Sequence, residues 1–232
     1  MKPIEFEIEK LRNVTFEMFD LIKSQLLLTK EVMLTGDHDL SCEVMRKEKR
    51  VNAFEISIDR ECEEFLAMQN PVASDLRFVI CILKTSGNLE RIGDHTYRIC
   101  SYVFDDIVKL NPELIKIASI SLIFDEIDSM LNHVTEALES GDSSIAKQVF
   151  KQDKVLDKVN KKLPQLLVEY IKDNPKDLSN LFLLSKTISK LERVGDLIKN
   201  IAEEVIFYHD SKVVKHIKKN KRIDKKLGEE NL

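Results

Sequence analysis

Along the first 35 positions the apolar residues keep a seven-residue rhythm: Ile4, Leu11, Met18, Gln25 and Val32 on one row, Val14, Leu21 and Leu28 on another. Such a pair of rows is an a/d seam, suited to a long helix packed at a shallow angle in a bundle. The next stretch repeats it with Val44, Val51, Ile58 and Phe65. Between periodic stretches stand Gly36-Asp37, Asn70-Pro71, Asn111-Pro112, Gly141-Asp142 and Asn174-Pro175. Each is a turn or helix-start signal, because Asp and Asn cap and Pro fits the first helical turn. They predict six helices of roughly 30 residues, each about 45 Å long, with short connections that make neighbours antiparallel. Pro164, inside the fifth segment, is expected to kink or break it.

The second and first halves of this pattern are copies. Asp75-Leu76 recurs as Asp177-Leu178, Lys84-Thr85 as Lys186-Thr187, and Leu89-Glu90-Arg91-Ile92-Gly93-Asp94 as Leu191-Glu192-Arg193-Val194-Gly195-Asp196, all at an offset of 102. Eleven identities join residues 75–103 to 177–205. Chance likeness between amphipathic helices does not readily place Leu-Glu-Arg-apolar-Gly-Asp twice at matching points. The expectation is an all-α chain of two tandem three-helix halves, residues 1–110 and 111–210, followed by a tail at 211–232.

Composition narrows the class. Six Gly and five Pro in 232 residues are too few for an all-β fold, which needs a turn every 8–12 residues. A hydrophobic share of 43% against 33% charged residues supplies a core. A net charge of −4 argues against a dedicated nucleic-acid binder. No apolar run approaches the ~18 residues that span a bilayer, and the first residues lack the apolar stretch of a signal peptide. Cys42, Cys62, Cys81 and Cys100 stand singly with no Cys-x-x-Cys pair, and are read as reduced thiols of a cytoplasmic protein.

The chemistry lies in the carboxylates. Glu90 and Asp94, like Glu192 and Asp196, are four apart and so stack on one helix face. The second segment carries a stripe of Glu48, Asn52, Glu55 and Asp59, and the fifth carries Asp153, Asp157 and Asn160 at an offset of 105. Oxygen-only donors suit Mg, Ca, Mn or Fe. A mid-helix Gly, costing about 1 kcal/mol relative to Ala, sits between each pair of acids as Gly93 and Gly195. Close approach of a neighbouring helix would offset that cost and bring its acids alongside. The competing reading is a solvated face neutralised by Arg91, Lys154 and Lys158. None of the five histidines has Glu three residues before it, so the di-iron Glu-x-x-His signature is missing. No phosphate loop or nucleophile elbow occurs, and His95 reads as a residue beside the acids rather than a catalytic base.

These residues, with Ile58-Asp59, the stretch from Gln69 through Pro71-Val72-Ala73 to Arg77, and Asn200-Ile201-Ala202-Glu203, make the chain resemble the PhoU family over about residues 5–208. The resemblance implies two three-helix bundles related by a pseudo-twofold axis. It implies a non-enzymatic negative regulator of the phosphate response, in the cytoplasm and commonly dimeric. Such a regulator acts between the phosphate ABC transporter and a sensor histidine kinase. It also implies bound metal, as Fe, Zn, Mn or Mg, at Glu48, Glu90, Asp94, Asp153, Asp157, Glu192 and Asp196. Asn52, Glu55, Asp59, Asn200 and Glu203 are further candidates. Asn52 stands where the second half has an acid, and Ser101 where it has Glu203, so the second half is expected to bind metal at least as well as the first. The alternatives are a hydrolase with a multinuclear carboxylate site and a plain helical adaptor.

The tail is basic: residues 212–226 hold eight Lys or Arg against one Asp. Lys218, Lys219, Lys221 and Arg222 could rest on anionic lipid headgroups, at about 1 kcal/mol per cation, or the end could simply be solvated.

Overall fold

Helix ends coincide with the breakers. In the computed structural model, which describes residues 3–105 and 111–214, α1 (Pro3–Thr35) stops at Gly36 with φ of 72°. Helix α2 (His38–Gln69) starts on the carboxylate of Asp37, which accepts from the amides of Asp39 at 2.8 Å and Leu40 at 3.1 Å. It ends at Asn70 in the left-handed region, and α3 (Ala73–Phe104) follows. In the second half Asn111 caps α4 (Pro112–Ile117), Gly141 ends α5 (Ile120–Ser140), and Asp142 caps α6 (Ser143–Asp173). A single 3-10 turn at Pro175–Asp177 leads into α7 (Leu178–Asp210). There is no strand among the described residues, and the architecture is two three-helix bundles, α1–α3 and α5–α7, joined through the short α4.

One expectation is corrected and a second is narrowed. The fourth segment is not one helix: it breaks at Ser119, whose φ is 54°. No Gly or Pro marks the spot. At about 100° per residue, an unbroken helix would turn Leu114 and Ala118 away from the face that buries Ile123, Ile127 and Val134. The break turns both inward, and each is fully buried. Pro164 does not break α6, which runs through it. The proline is exposed, so the Asn160 carbonyl it deprives of a helical N–H lies toward solvent, where water can satisfy it.

The seams read from the sequence are the core. Leu11, Met18, Gln25 and Val32 are buried, as are Val44, Val51, Ile58 and Phe65. The two bundles do not keep separate interiors: one apolar cluster runs from Phe19 and Ile22 through Ile82 and Ile92 to Ile127, Leu156, Leu191 and Ile198. Helix α3 packs along α7, and α1 touches α5, so the halves share a long central seam. Lys30 ties α1 to Asp125 of α5 at 2.6 Å, and the Arg77 Nε donates to the Tyr208 carbonyl at 3.3 Å.

The two repeated glycines mark close helix contacts. A Cβ on Gly93 would lie 3.2 Å from Val51 Cγ1 and 3.3 Å from Gln25 Oε1. One on Gly195 would lie 3.0 Å from Leu156 Cδ1. Each glycine thus lets α2 or α6 approach the helix that carries the acids. Cys62, Cys81 and Cys100 are buried, and burial pushes each thiol up to about 12. Lys218, Lys219, Lys221 and Arg222 lie outside the described residues. No described helix is long and apolar enough to cross a membrane.

Candidate functional site

In the first half, carboxylates of α2 and α3 face one another across the contact that Gly93 permits. Glu48, Asn52, Glu55 and Asp59 lie along one half-buried stripe of α2, opposite the half-buried Glu90 and Asp94 of α3. The Glu90 carboxyl is held above the usual carboxylate range, by burial first and then by the charges of Glu55, Asp94 and Glu48, with Arg91 opposing. Glu55 is raised likewise, by burial and then Asp59, against Arg91. Asp59 accepts from the Ser86 hydroxyl at 3.3 Å, and Asp94 lies 3.5 Å from Arg98 Nε. Among the described residues Glu48, Glu55 and Glu90 have no ion pair within 4.0 Å. Asn52 Oδ1 is buried with no hydrogen-bond partner.

The second half brings together the equivalent helices but closes the gap differently. The Lys199 ammonium sits between α6 and α7, donating to Asp196 at 2.6 Å and to both oxygens of Asp153 at 3.1 and 3.2 Å. Burial works to lower the Lys199 pKa, but the bonds to Asp196 and Asp153 outweigh it and hold it above its ordinary value. Burial raises Asp153, with Lys199 opposing and Asp157 and Asp196 adding to the rise. Asp157 and Glu192 are exposed. Glu192 and Asp196 turn toward α3, lining a hollow of about 650 Å³ with Arg91, Asp94, His95 and Arg193.

The sequence-predicted acids are thus divided: Glu48, Glu55, Asp59 and Glu90 lie along the α2–α3 contact, Asp153 meets Asp196 through Lys199, and Glu192 and Asp196 share a hollow with Asp94 of the other half. Asn200 and Glu203 are not with Asp196: they cross the seam to line a hollow of about 550 Å³ with Glu55 and Glu90. As the side chains stand, no three His, Cys, Asp or Glu groups among the described residues converge on one point. Sequence reasoning missed Lys199, although its place three residues after Asp196 was the signal. It also missed the buried Glu204 of α7, which receives Lys84 of α3 at 3.2 Å, and the cations of the α3–α7 seam. Single positions along a helix do not reveal which of two neighbours they will meet.

The PhoU domain model matches the chain twice, over residues 15–103 and 120–205. Those stretches correspond to the two bundles. The chain is 29% identical over 211 residues to the phosphate-specific transport system accessory protein PhoU of Edwardsiella tarda, covering 91% of this chain and 86% of that protein. The crystal structure of PhoU from Pseudomonas aeruginosa superposes with a TM-score of 0.82 at 27% identity, over 90% of this chain and 99% of that one. The phosphate transport system regulatory protein PhoU from Streptococcus pneumoniae has a TM-score of 0.79 at 23% identity over 91% and 99%, a likeness of fold. With both bundles matched and the relatives aligned nearly end to end, the chain belongs to the PhoU family.

Proposed function

We propose that this protein is a non-enzymatic regulator of phosphate uptake and of the phosphate response. It acts in the cytoplasm by contact with the phosphate ABC transporter and a sensor histidine kinase, as a homodimer. The observation that carries the reading is the end-to-end match, in sequence and in both bundles, to proteins named as accessory to the phosphate-specific transport system. The site fits this role, because its acids lie between helices rather than around a nucleophile or a general base. An array of that kind sets how two helices pack and hence what shape the bundle presents.

A structural metal belongs to the same proposal, and the two halves differ in how well they fit it. The first half offers oxygens: Glu48, Glu55 and Glu90, without ion-pair partners among the described residues, and the orphaned Oδ1 of Asn52. A hard divalent or trivalent cation held there would relieve the crowding of like charges between α2 and α3. In the second half the Lys199 ammonium pairs with both Asp153 and Asp196, one positive charge against two carboxylates, so the chain itself already offsets part of their charge. On this proposal the first half is the better-fitting one, whereas the ranking drawn from Asn52 favours the second.

The test has two arms. Deleting the protein should change phosphate uptake and phosphate-responsive gene expression, and the protein should co-purify with the transporter ATPase from phosphate-replete cells; neither effect would reject the regulatory role. Titration of purified protein with Mn²⁺ should raise its melting temperature, and Glu90→Gln should abolish the rise while Asp196→Asn leaves it. A wild-type melting temperature indifferent to Mn²⁺, Fe²⁺ and Zn²⁺ would reject the structural metal.

A further inference from the structure

Beside the acidic arrays, the α3–α7 seam carries a cavity of opposite character. Ser185, Lys186, Ser189, Lys190 and Arg193 line it from α7 and His95 from α3, around a volume of about 470 Å³. No carboxylate is among its lining residues. Two aromatic side chains also line it, one of them the exposed Phe182: the Lys186 ammonium lies 4.8 Å from the Phe182 ring centre and 5.8 Å from that of Tyr102. Attraction to ring faces holds the Lys186 ammonium without neutralising its charge.

The cations are close enough to repel. Burial and then the charges of Arg98 and Arg193 hold Lys190 below its ordinary pKa, with Asp94 pulling the other way. Asp94, the acid that acts on Lys190, is engaged with Arg98 at 3.5 Å. His95 is half-buried, and its Nδ1 has no hydrogen-bond partner among the described residues. Three formal cations, an imidazole and two hydroxyls gather around one hollow whose own lining holds no carboxylate, while Asp94, Glu192 and Asp196 line the adjoining hollow that shares His95, Ser189 and Arg193 with it. An anion entering it gains charge-assisted hydrogen bonds and removes the mutual repulsion at once. One carboxylate would meet one fork of donors; the number of cations matches a ligand carrying at least two negative charges. The hollow is open, with Ser185, Lys186, Ser189 and Arg193 exposed, so it admits a condensed phosphate as well as a single tetrahedral ion.

We propose that this cavity between α3 and α7 binds a multiply charged oxyanion of the phosphate type, with Lys186, Lys190 and Arg193 as the charged contacts and Ser185 and Ser189 as hydroxyl donors. The proposal stands on the seam's own residues and does not depend on the regulatory reading. All five named contacts lie on α7, with His95 and Tyr102 of α3 on the opposite wall.

Isothermal titration calorimetry on the full chain tests it, with inorganic phosphate, pyrophosphate and acetate as probes. Pyrophosphate should bind most tightly, phosphate more weakly, and acetate not measurably, with affinity falling as salt rises. Lys186→Gln and Arg193→Gln should each weaken pyrophosphate at least tenfold while circular dichroism melting stays within a few degrees of the wild type. Lys154→Gln, an exposed charge removed from α6, should leave binding unchanged. Absence of pyrophosphate binding, equal binding by Arg193→Gln, or acetate competing as well as pyrophosphate would each overturn the proposal. None of these outcomes bears on contact with the transporter, so failure here leaves the regulatory reading to its own test.

Discussion

Adding one methyl group at each of the two duplicated glycines should have different consequences. In both Gly93→Ala and Gly195→Ala the helix gains about 1 kcal/mol of intrinsic propensity. The packing loss differs. At position 93 the new Cβ meets three walls: Val51 Cγ1 at 3.2 Å, Gln25 Oε1 at 3.3 Å and Ile22 Cδ1 at 3.5 Å. All three side chains are fully buried. Val51 is stiff at χ1, and Gln25 is tethered by its Nε2 to the Val44 carbonyl at 3.3 Å. Overpacking against walls that cannot retreat costs about 1–3 kcal/mol. At position 195 the only tight neighbour is Leu156 Cδ1 at 3.0 Å, the far end of a flexible side chain, with Met130 Cε at an ordinary 4.0 Å. Rotation of Leu156 relieves that contact for less than about 1 kcal/mol. Gly195→Ala should therefore be neutral or slightly stabilising and Gly93→Ala destabilising, a difference of about 1–2 kcal/mol. For a chain of this size that is roughly 3–6 °C in melting temperature, readable by calorimetry or circular dichroism. Equal shifts in the two variants, or a more stable Gly93→Ala, would refute the packing argument.

Three further outcomes follow from the charges and the backbone. Glu90→Gln should be more stable than the wild type at neutral pH, because the raised pKa means the folded chain disfavours the charged form. That gain should shrink as pH falls through the raised value and disappear below the ordinary value of 4.5; melting temperatures across pH check it, and a pH-independent gain would contradict it. Lys199→Met leaves Asp153 half-buried without its counter-ion and should cost about 1–3 kcal/mol, below the range for fully buried pairs because Asp196 is largely exposed; urea unfolding reads it, and adding Asp153→Asn should restore part of the loss. Ser119→Gly removes a side chain from a left-handed residue and should stabilise by about 0.5–1 kcal/mol in the same assay.

The bundle was legible because its signals are local. Seven-residue spacing of Leu11, Met18 and Val32 follows from helix geometry, and caps such as Asp37 and Asp142 bind amides two or three residues away. The duplication needed only two copies of Leu-Glu-Arg-apolar-Gly-Asp. The break at Ser119 was not legible, since it answers to which way Leu114 and Ala118 must face once α5 has found its partners. Pro164 misled for a related reason: the penalty depends on whether the freed Asn160 carbonyl meets water, and that is a property of the surface.

The sites divide along the same line. Periodicity assigns each acid to a face and the glycines mark where faces meet, which is how the facing of the α2 and α3 acids was legible; on α7 the same reasoning led to Asp196, which Lys199 links to Asp153, but not to Glu192, which turns to α3. Only the tertiary structure decided the balance of charge within each set. Lys199 turns toward Asp153, Asn200 and Glu203 turn across the seam to Glu55 and Glu90, and Lys186, Lys190 and Arg193 collect in a hollow without acids. Electrostatic energy depends on distance through space, and residues on one helix acquire their charged neighbours only when another helix is laid against them.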